Sequence, residues 1–307
     1  MSERVVVTGA GGQLGQYLRV ALQRSAYSVT GVGYRPTNGV DIIADITDAD
    51  AVRHVLERLE PSCVFHLAAM TDVDGCERDP ERARRINELG SRTVAAATRD
   101  HGAHLIALST DYVFGQTPNP PHDEYAPTSP TCVYGRTKLD GELAVQRASP
   151  RFAVVRTSWV YGGIGKHFAR TVLTMLRTHG SMDVVTDEIS TPTFAGDLAS
   201  SLVILMKERG AGIFHLVGSG ACSRYDLARE VADIAGFDRE SIRPTTTAEF
   251  LRKHPLPARR PENSSLQNTR GAAKGIILRS WKEALAEYVP YLAAEYEALE
   301  PPIKVRS

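Results

Sequence analysis

The run Val5-Val6-Val7-Thr8-Gly9-Ala10-Gly11-Gly12-Gln13-Leu14-Gly15 constrains the fold of this chain more than any other segment. Three valines read as a buried strand, and residues 14–22 carry the apolar period of a helix. Between them, Gly9, Gly12 and Gly15 allow a tight turn. A strand that turns through glycines into a helix aims backbone N–H groups at the turn, and the missing side chains let a pyrophosphate approach. At the head of a βαβ series this places a dinucleotide against Gly9, Gly12, Gln13, Leu14 and Gly15. Without a ligand, the same glycines would make only a sharp strand-to-helix turn.

The rest of the first half supplies that series. Strands are expected at 27–34, 63–67, 105–108 and 153–155, and helices at 48–59, 81–100 and from Tyr134 onward. Alternating strands and helices imply an α/β fold with a doubly wound, Rossmann-type parallel sheet, whose strands read as apolar runs because helices cover both faces. From 158 the pattern loosens into helices at 167–179, 196–207, 223–235 and 281–296 and short strands at 183–185 and 213–217. We therefore expect a dinucleotide-binding domain over 1–157 and a smaller mixed α/β substrate lobe over 158–307, with some later segments returning to the first domain. A stretch at 117–130 holds Pro118, Pro120, Pro121, Pro127 and Pro130. It reads either as a plain surface loop or as a loop overhanging the ligand site.

The charge balance narrows the partners. Lysine and arginine number 36 and aspartate and glutamate 36, so the chain lacks the basic excess that nucleic acid binding requires. Cys63, Cys76, Cys132 and Cys222 show no CxxC spacing and no histidine pair completes a zinc pattern, so free thiols and no required metal are expected. No apolar window spans a membrane and no signal-peptide core follows Met1, which favours a cytoplasmic protein.

Tyr134 and Lys138 share a helix face at i and i+4. A phenol beside an ammonium is a usable proton donor or acceptor near neutral pH. Eleven tyrosines and the lysines of this chain would produce about a quarter of such a pair at random, so the spacing needs its surroundings. Lys138 could alternatively pair with Glu142. For the cofactor, the second strand ends Gly31-Val32-Gly33-Tyr34-Arg35-Pro36 with no acid before Asp41. An acid there would bind a ribose 2′-hydroxyl, whereas Arg35 suits a 2′-phosphate, so NADP(H) is expected and NAD(H) is the alternative. Asp45 and Ile46 are placed for adenine contacts.

These motifs converge. The TGxxGxxG spacing, Ser109-Thr110-Asp111-Tyr112-Val113-Phe114 and Tyr134-x-x-x-Lys138 resemble the extended short-chain dehydrogenase/reductases. Ala68-Ala69-Met70-Thr71-Asp72, Arg156-Thr157-Ser158-Trp159-Val160-Tyr161-Gly162, Pro192-Thr193-Phe194-Ala195-Gly196-Asp197 and Arg260-Pro261-Glu262-Asn263-Ser264 narrow the resemblance to the dTDP-4-dehydrorhamnose reductase family, over nearly the whole chain. It implies a catalytic Thr110, Tyr134 and Lys138, with Tyr134 and Lys138 also at the cofactor, and a cofactor wall including Ala68, Ala69 and Thr71. It implies a substrate side with Thr110, Asp111, Tyr112, Trp159 and Arg260, and an Asn87 that holds the site geometry. The implied reaction is NADPH-dependent reduction of the 4-keto group of a dTDP-linked 6-deoxy-4-hexulose, dTDP-4-dehydro-L-rhamnose to dTDP-L-rhamnose, by a protein that can form a homodimer. Some members of the family use a metal at a dimer contact.

Alternatives stand beside this reading. Phe114 is followed by Gly115-Gln116 where the family commonly has Asp-Gly, which opens other nucleotide-linked 4-ketosugars, of antibiotic deoxysugar or dihydrostreptose type. A non-catalytic NADP-binding subunit, like the regulatory subunit of methionine adenosyltransferase, shares the glycine loop and the tyrosine-lysine pair but lacks the Ser158-Trp159 pair kept here. A nucleotide-sugar epimerase would carry an acid where Arg35 stands.

Overall fold

The computed structural model describes residues 2–163 and 165–299, with side chains as far as 295; the end of the range expected for the second lobe, 300–307, lies outside the described residues. Val5, Val6 and Val7 are buried because the strand Arg4–Thr8 runs through the middle of a seven-stranded sheet. Every pairing in that sheet is parallel. Across the sheet the order is Gly212–His215, Ala153–Thr157, His104–Thr110, Cys63–His66, Arg4–Thr8, Ser28–Gly33 and Ile42–Ile43. The order reverses direction between Arg4–Thr8 and Cys63–His66. Loops leaving neighbouring strands at such a reversal part to opposite faces and open a crevice.

Helices Gln13–Arg24 and Ala195–Lys207 cover one face, burying Leu14, Leu18 and Leu22 against Leu198, Leu202 and Leu205. On the other face Val52, Val55 and Leu56 of helix Ala49–Leu59, Val94 of Ser91–His101 and Val145 of Val133–Ala148 pack on Val6, Val64 and Leu105. Two later segments thus serve the main sheet. Strand Gly212–His215 forms its edge, and helix Ala195–Lys207 lies on the glycine-loop helix. A smaller core holds Val172, Leu173 and Leu176 of Phe168–His179, Leu227 and Val231 of Arg224–Ile234, and Leu285 and Val289 of Trp281–Leu299. The parallel pair Met182–Val185 and Ile242–Thr245 borders it.

Two expectations change. The helix expected over 81–100 is interrupted: Pro80–Arg84 passes into a π-helical turn, Arg85–Gly90, before Ser91–His101. A π turn inserts one residue into the helical repeat, a feature frequent at functional sites. The proline-rich loop does not overhang a site. Its Thr117 hydroxyl donates to the Pro127 carbonyl at 2.8 Å, and His122 exchanges backbone bonds with Ser265 and Gln267. Glu124 accepts from the N–H groups of His215 and Arg270. The loop is fastened to the sheet edge and the C-terminal segment.

Candidate active site

A cleft of about 710 Å³ occupies the crevice at the strand-order reversal. Gly9, Gly12, Gln13, Leu14 and Gly15 form one wall. Gly9 has φ +68°, and a Cβ there would come within 2.7 Å of the Ala68 nitrogen. A Cβ on Gly15 would meet the carbonyls of Gly9 and Ala10 at 2.6 Å. The glycines therefore seat the turn against the neighbouring strand and helix. Helix Gln13–Arg24 starts at Gly12 with no side-chain cap. Its first N–H groups have no side chain closing them, which is the donor set a pyrophosphate fits.

The wall continues through Asp45, Ile46, Ala68, Ala69 and Thr71. Asp45 accepts from the Thr47 amide at 2.9 Å and hydroxyl at 2.8 Å. Asp41 accepts from the Gly31 amide at 2.7 Å and from Arg19, so its carboxylate is occupied. No acid therefore stands free at the end of strand Ser28–Gly33. Arg35 is exposed and off the wall, while Tyr34, Arg82 and Arg85 are on it.

At the far end of the cleft Thr110 and Tyr134 come together. Thr110 ends strand His104–Thr110. Tyr134 is the second residue of helix Val133–Ala148, whose start is held by Cys132 Sγ accepting from the Gly135 amide and by Glu77 accepting from the Val133 amide at 2.7 Å. A Cβ on Gly135 would strike the Tyr112 carbonyl at 2.3 Å, so glycine lets this helix press onto the Thr110 loop. Burial pushes the Tyr134 phenol above its ordinary value, and a hydrogen bond with Thr110 opposes that. The phenol is thus protonated at neutral pH.

Lys138 lies behind the wall, buried, donating from Nζ to the Leu108 carbonyl at 2.8 Å. Burial lowers its pKa to about 8, against the pull of Glu142. The sequence reading had Lys138 lowering the Tyr134 pKa; here Thr110 is the group that does so. The resemblance places Thr110 on the substrate side. In this rotamer its hydroxyl donates to Asp111 Oδ1 at 3.1 Å, so donating to the Tyr134 phenolate or to a substrate oxygen requires that hydroxyl to rotate.

A buried polar chain backs this corner. Asn87, completely buried in the π turn, accepts from the Met70 amide at 2.8 Å and donates to the Met70 carbonyl and to Thr137 Oγ1 at 3.1 Å. Ser91 donates to the Asn87 carbonyl and so accepts from His66 Nε2, which leaves His66 Nδ1 to accept from Thr8. The chain ties the glycine-loop strand to the Tyr134 helix. Asn87 is therefore an interior residue of the fold, not a surface one.

On the substrate side Asp111, Tyr112 and Trp159 line the cleft. Asp111 accepts from Ser190 at 2.9 Å and from Ser264, so it joins the turn after strand His104–Thr110 to two later segments of the chain. Trp159 holds φ +41°, a conformation unusual for an indole-bearing residue. Arg260 is off the wall. Its guanidinium is taken by Asp74, at 2.6 and 3.0 Å, and by the Ala258 carbonyl. The proline-rich residues 117–130 contribute nothing to the cleft lining. Arg224 also lines it; the Ser223–Asp226 capping signal around it marks only a helix start, so this arginine has no motif of its own in the sequence. Among the described residues no cluster of histidine, cysteine, aspartate or glutamate could hold a metal, and no helix is long and apolar enough to cross a membrane.

A parallel sheet reversing over a glycine turn, with Thr110 and Tyr134 at the far end of the cleft that opens there and Lys138 behind them, is the arrangement of an extended short-chain dehydrogenase/reductase. Within that class the chain belongs to the RmlD substrate binding domain family, whose model matches residues 3–293. It is 40% identical over 297 residues to a dTDP-4-dehydrorhamnose reductase of Mycolicibacterium smegmatis, covering 94% of this chain and 86% of that one. It is 39% identical to a probable dTDP-4,6-dihydroxy-2-methyloxan-3-one 4-ketoreductase of Streptomyces antibioticus, covering 95% and 97%. Among solved structures, a Bacillus anthracis dTDP-4-dehydrorhamnose reductase in complex with NADP superposes with TM-score 0.86 at 32% identity, covering 95% of this chain and all of that one.

Proposed function

We propose that this protein reduces the 4-keto group of a dTDP-linked 6-deoxy-4-hexulose with NADPH, dTDP-4-dehydro-L-rhamnose being the substrate and dTDP-L-rhamnose the product. The observation that carries this is the meeting of Thr110 and Tyr134 where the glycine wall runs into the Trp159 end of one cleft. Relatives that share 40% of their residues over nearly the whole chain bear the name of that activity. The occupied Asp41 and the wall arginines Arg82 and Arg85 favour a cofactor carrying a 2′-phosphate.

Gly9, Gly12, Gln13, Leu14 and Gly15 would hold the pyrophosphate, Asp45 and Ile46 the adenine end, and Ala68, Ala69 and Thr71 the middle. Bound NADPH supplies the hydrogen and electron pair that C4 accepts. Tyr134 gives the developing alkoxide its proton, for which its raised pKa keeps it charged with hydrogen. Thr110 orients the phenol and, with its hydroxyl turned, supports the same oxygen. Lys138, held on the Leu108 carbonyl behind the wall, is the cation that would hydrogen-bond the nicotinamide ribose. In domain terms, residues 1–157 with the returning helix and edge strand carry the cofactor, and the second lobe carries the sugar nucleotide.

The test is NADPH oxidation with a panel of dTDP-4-keto-6-deoxy sugars, with C4 stereochemistry read by NMR. Turnover of dTDP-4-dehydro-L-rhamnose above the rest is expected. A clear preference for another 4-keto sugar would move the protein to a second reading, reduction in an antibiotic deoxysugar route, which the Streptomyces antibioticus relative favours. Turnover of none, with NADPH still bound, would favour a non-catalytic NADP-binding subunit.

A further inference from the structure

We propose that Arg224 receives the diphosphate of the nucleotide sugar and is the anion-recognition residue of the substrate half of the cleft. This rests on the reading above. Arg224 lines both the main cleft and a side cavity of about 200 Å³ bounded by Trp159, Tyr161, Phe168 and Leu227. Its guanidinium carbon lies 3.7 Å from the centre of the Trp159 ring and 4.9 Å from that of Phe168. Flat stacking on rings holds a guanidinium in place through its faces and leaves its edge N–H groups for in-plane acceptors.

Those edges are underused. The one ion pair of Arg224, to Glu188, spans 3.6 Å from Nε, and Nη1 and Nη2 make no hydrogen bond among the described residues. Other arginines differ. Buried Arg156 places three bonds on Glu142 and leaves only Nη1 without a partner, and partly buried Arg260 divides three between Asp74 and Ala258. A rigid fork with free donors on a cleft wall fits a phosphate, which accepts two parallel bonds from it. The helix that Arg224 begins offers no rival donor, because the Ser223–Asp226 capping box closes its start. Arg260, the residue the sequence pointed to for this role, is spent on Asp74. Glu188, only 13% exposed, competes with an incoming anion for the same guanidinium.

Binding of dTDP, thymidine and NADPH to the wild type, Arg224→Met and Glu188→Gln, by titration calorimetry, tests this. Methionine keeps an unbranched chain against the rings. We expect R224M to weaken dTDP binding by about tenfold or more while thymidine and NADPH binding change by less than about twofold. We expect E188Q, by releasing the fork, to tighten dTDP. Equal dTDP binding in R224M and wild type would overturn the proposal. So would parallel losses for dTDP and thymidine, which would mean that Arg224 only props Trp159. If R224M does not fold, E188Q decides: tighter dTDP supports the proposal, and unchanged or weaker dTDP overturns it. A wild type that binds NADPH but not dTDP would remove the nucleotide-sugar reading itself and this inference with it.

Discussion

Glu142 turns away from Lys138, its neighbour one helical turn back, and gives both carboxylate oxygens to Arg156 at 2.7–3.2 Å. Both side chains are buried, and Ser109 donates to the same carboxylate. Lys138 is thereby left for the Leu108 carbonyl instead of a surface pair. Removing one member of such a pair strands the other as an uncompensated buried charge. Glu142→Ala should therefore destabilise the protein by about 3–5 kcal/mol. Urea unfolding of the variant measures it, and a loss under about 1 kcal/mol would mean the pair is not dry.

Lys138 should set a basic limit on the proposed reaction. Burial lowers its pKa to about 8, so it is charged below that pH and neutral above. If its cation holds the nicotinamide ribose, kcat/KM for reduction should fall towards tenfold per pH unit above about 8. Lys138→Met should be slow throughout and lack that limb. The stability sign is opposite. The unfolded lysine keeps its proton up to about 10.4, so the folded state binds fewer protons between the two values and stability rises with pH there.

Buried histidines make the fold acid-sensitive. Burial, with Lys138 nearby, lowers His66 from 6.5 to about 3, and burial, with Arg156 nearby, lowers His215 from 6.5 to about 3. Below pH 6.5 the unfolded chain takes up protons that the folded chain refuses. Stability is thus present above 6.5 and is lost as pH falls towards 3. Each histidine contributes a slope approaching about 1.4 kcal/mol per pH unit in that window. Urea unfolding at pH 7, 6, 5 and 4.5 should show a steepening loss, and His66→Gln should make the slope shallower by about one proton.

Asn87 should matter to both stability and rate. Asn87→Ala would leave the Met70 amide and carbonyl without their side-chain partner and free Thr137 on the catalytic helix. A stability loss of about 2–4 kcal/mol is expected, from unsatisfied buried groups at about 1–3 kcal/mol each. The turnover number should drop more than NADPH affinity does. A variant as stable and fast as the wild type would contradict a holding role.

The glycine-loop wall of the cleft was legible because its signals are local. A run of valines, glycines at fixed spacing and a tyrosine and lysine one helical turn apart each state their geometry within a few residues, and the cleft holds Gly9, Thr110 and Tyr134 together. What escaped depends on distant pairing. Strand Gly212–His215 is too short to declare its place, and it joins the sheet edge only by pairing with Ala153–Thr157. The π turn at Arg85–Gly90 keeps a helical composition, so only the complete burial of Asn87 betrays it. Arg260 matched a motif, but a partner 186 residues away, Asp74, takes its charge. Arg35 had the right chemistry at the right strand end and points to solvent, while Arg82 and Arg85 arrive on the wall from a helix that gave no such hint.

The central claim is that Tyr134 transfers the proton. The most direct measurement is single-turnover reduction of dTDP-4-dehydro-L-rhamnose by Tyr134→Phe beside the wild type, with NADPH affinity measured on both. The account predicts NADPH binding within about twofold and a reduction rate lower by about a hundredfold to ten-thousandfold, because phenylalanine keeps the ring and removes the donor. A Tyr134→Phe protein that reduces the sugar within tenfold of the wild-type rate would contradict it.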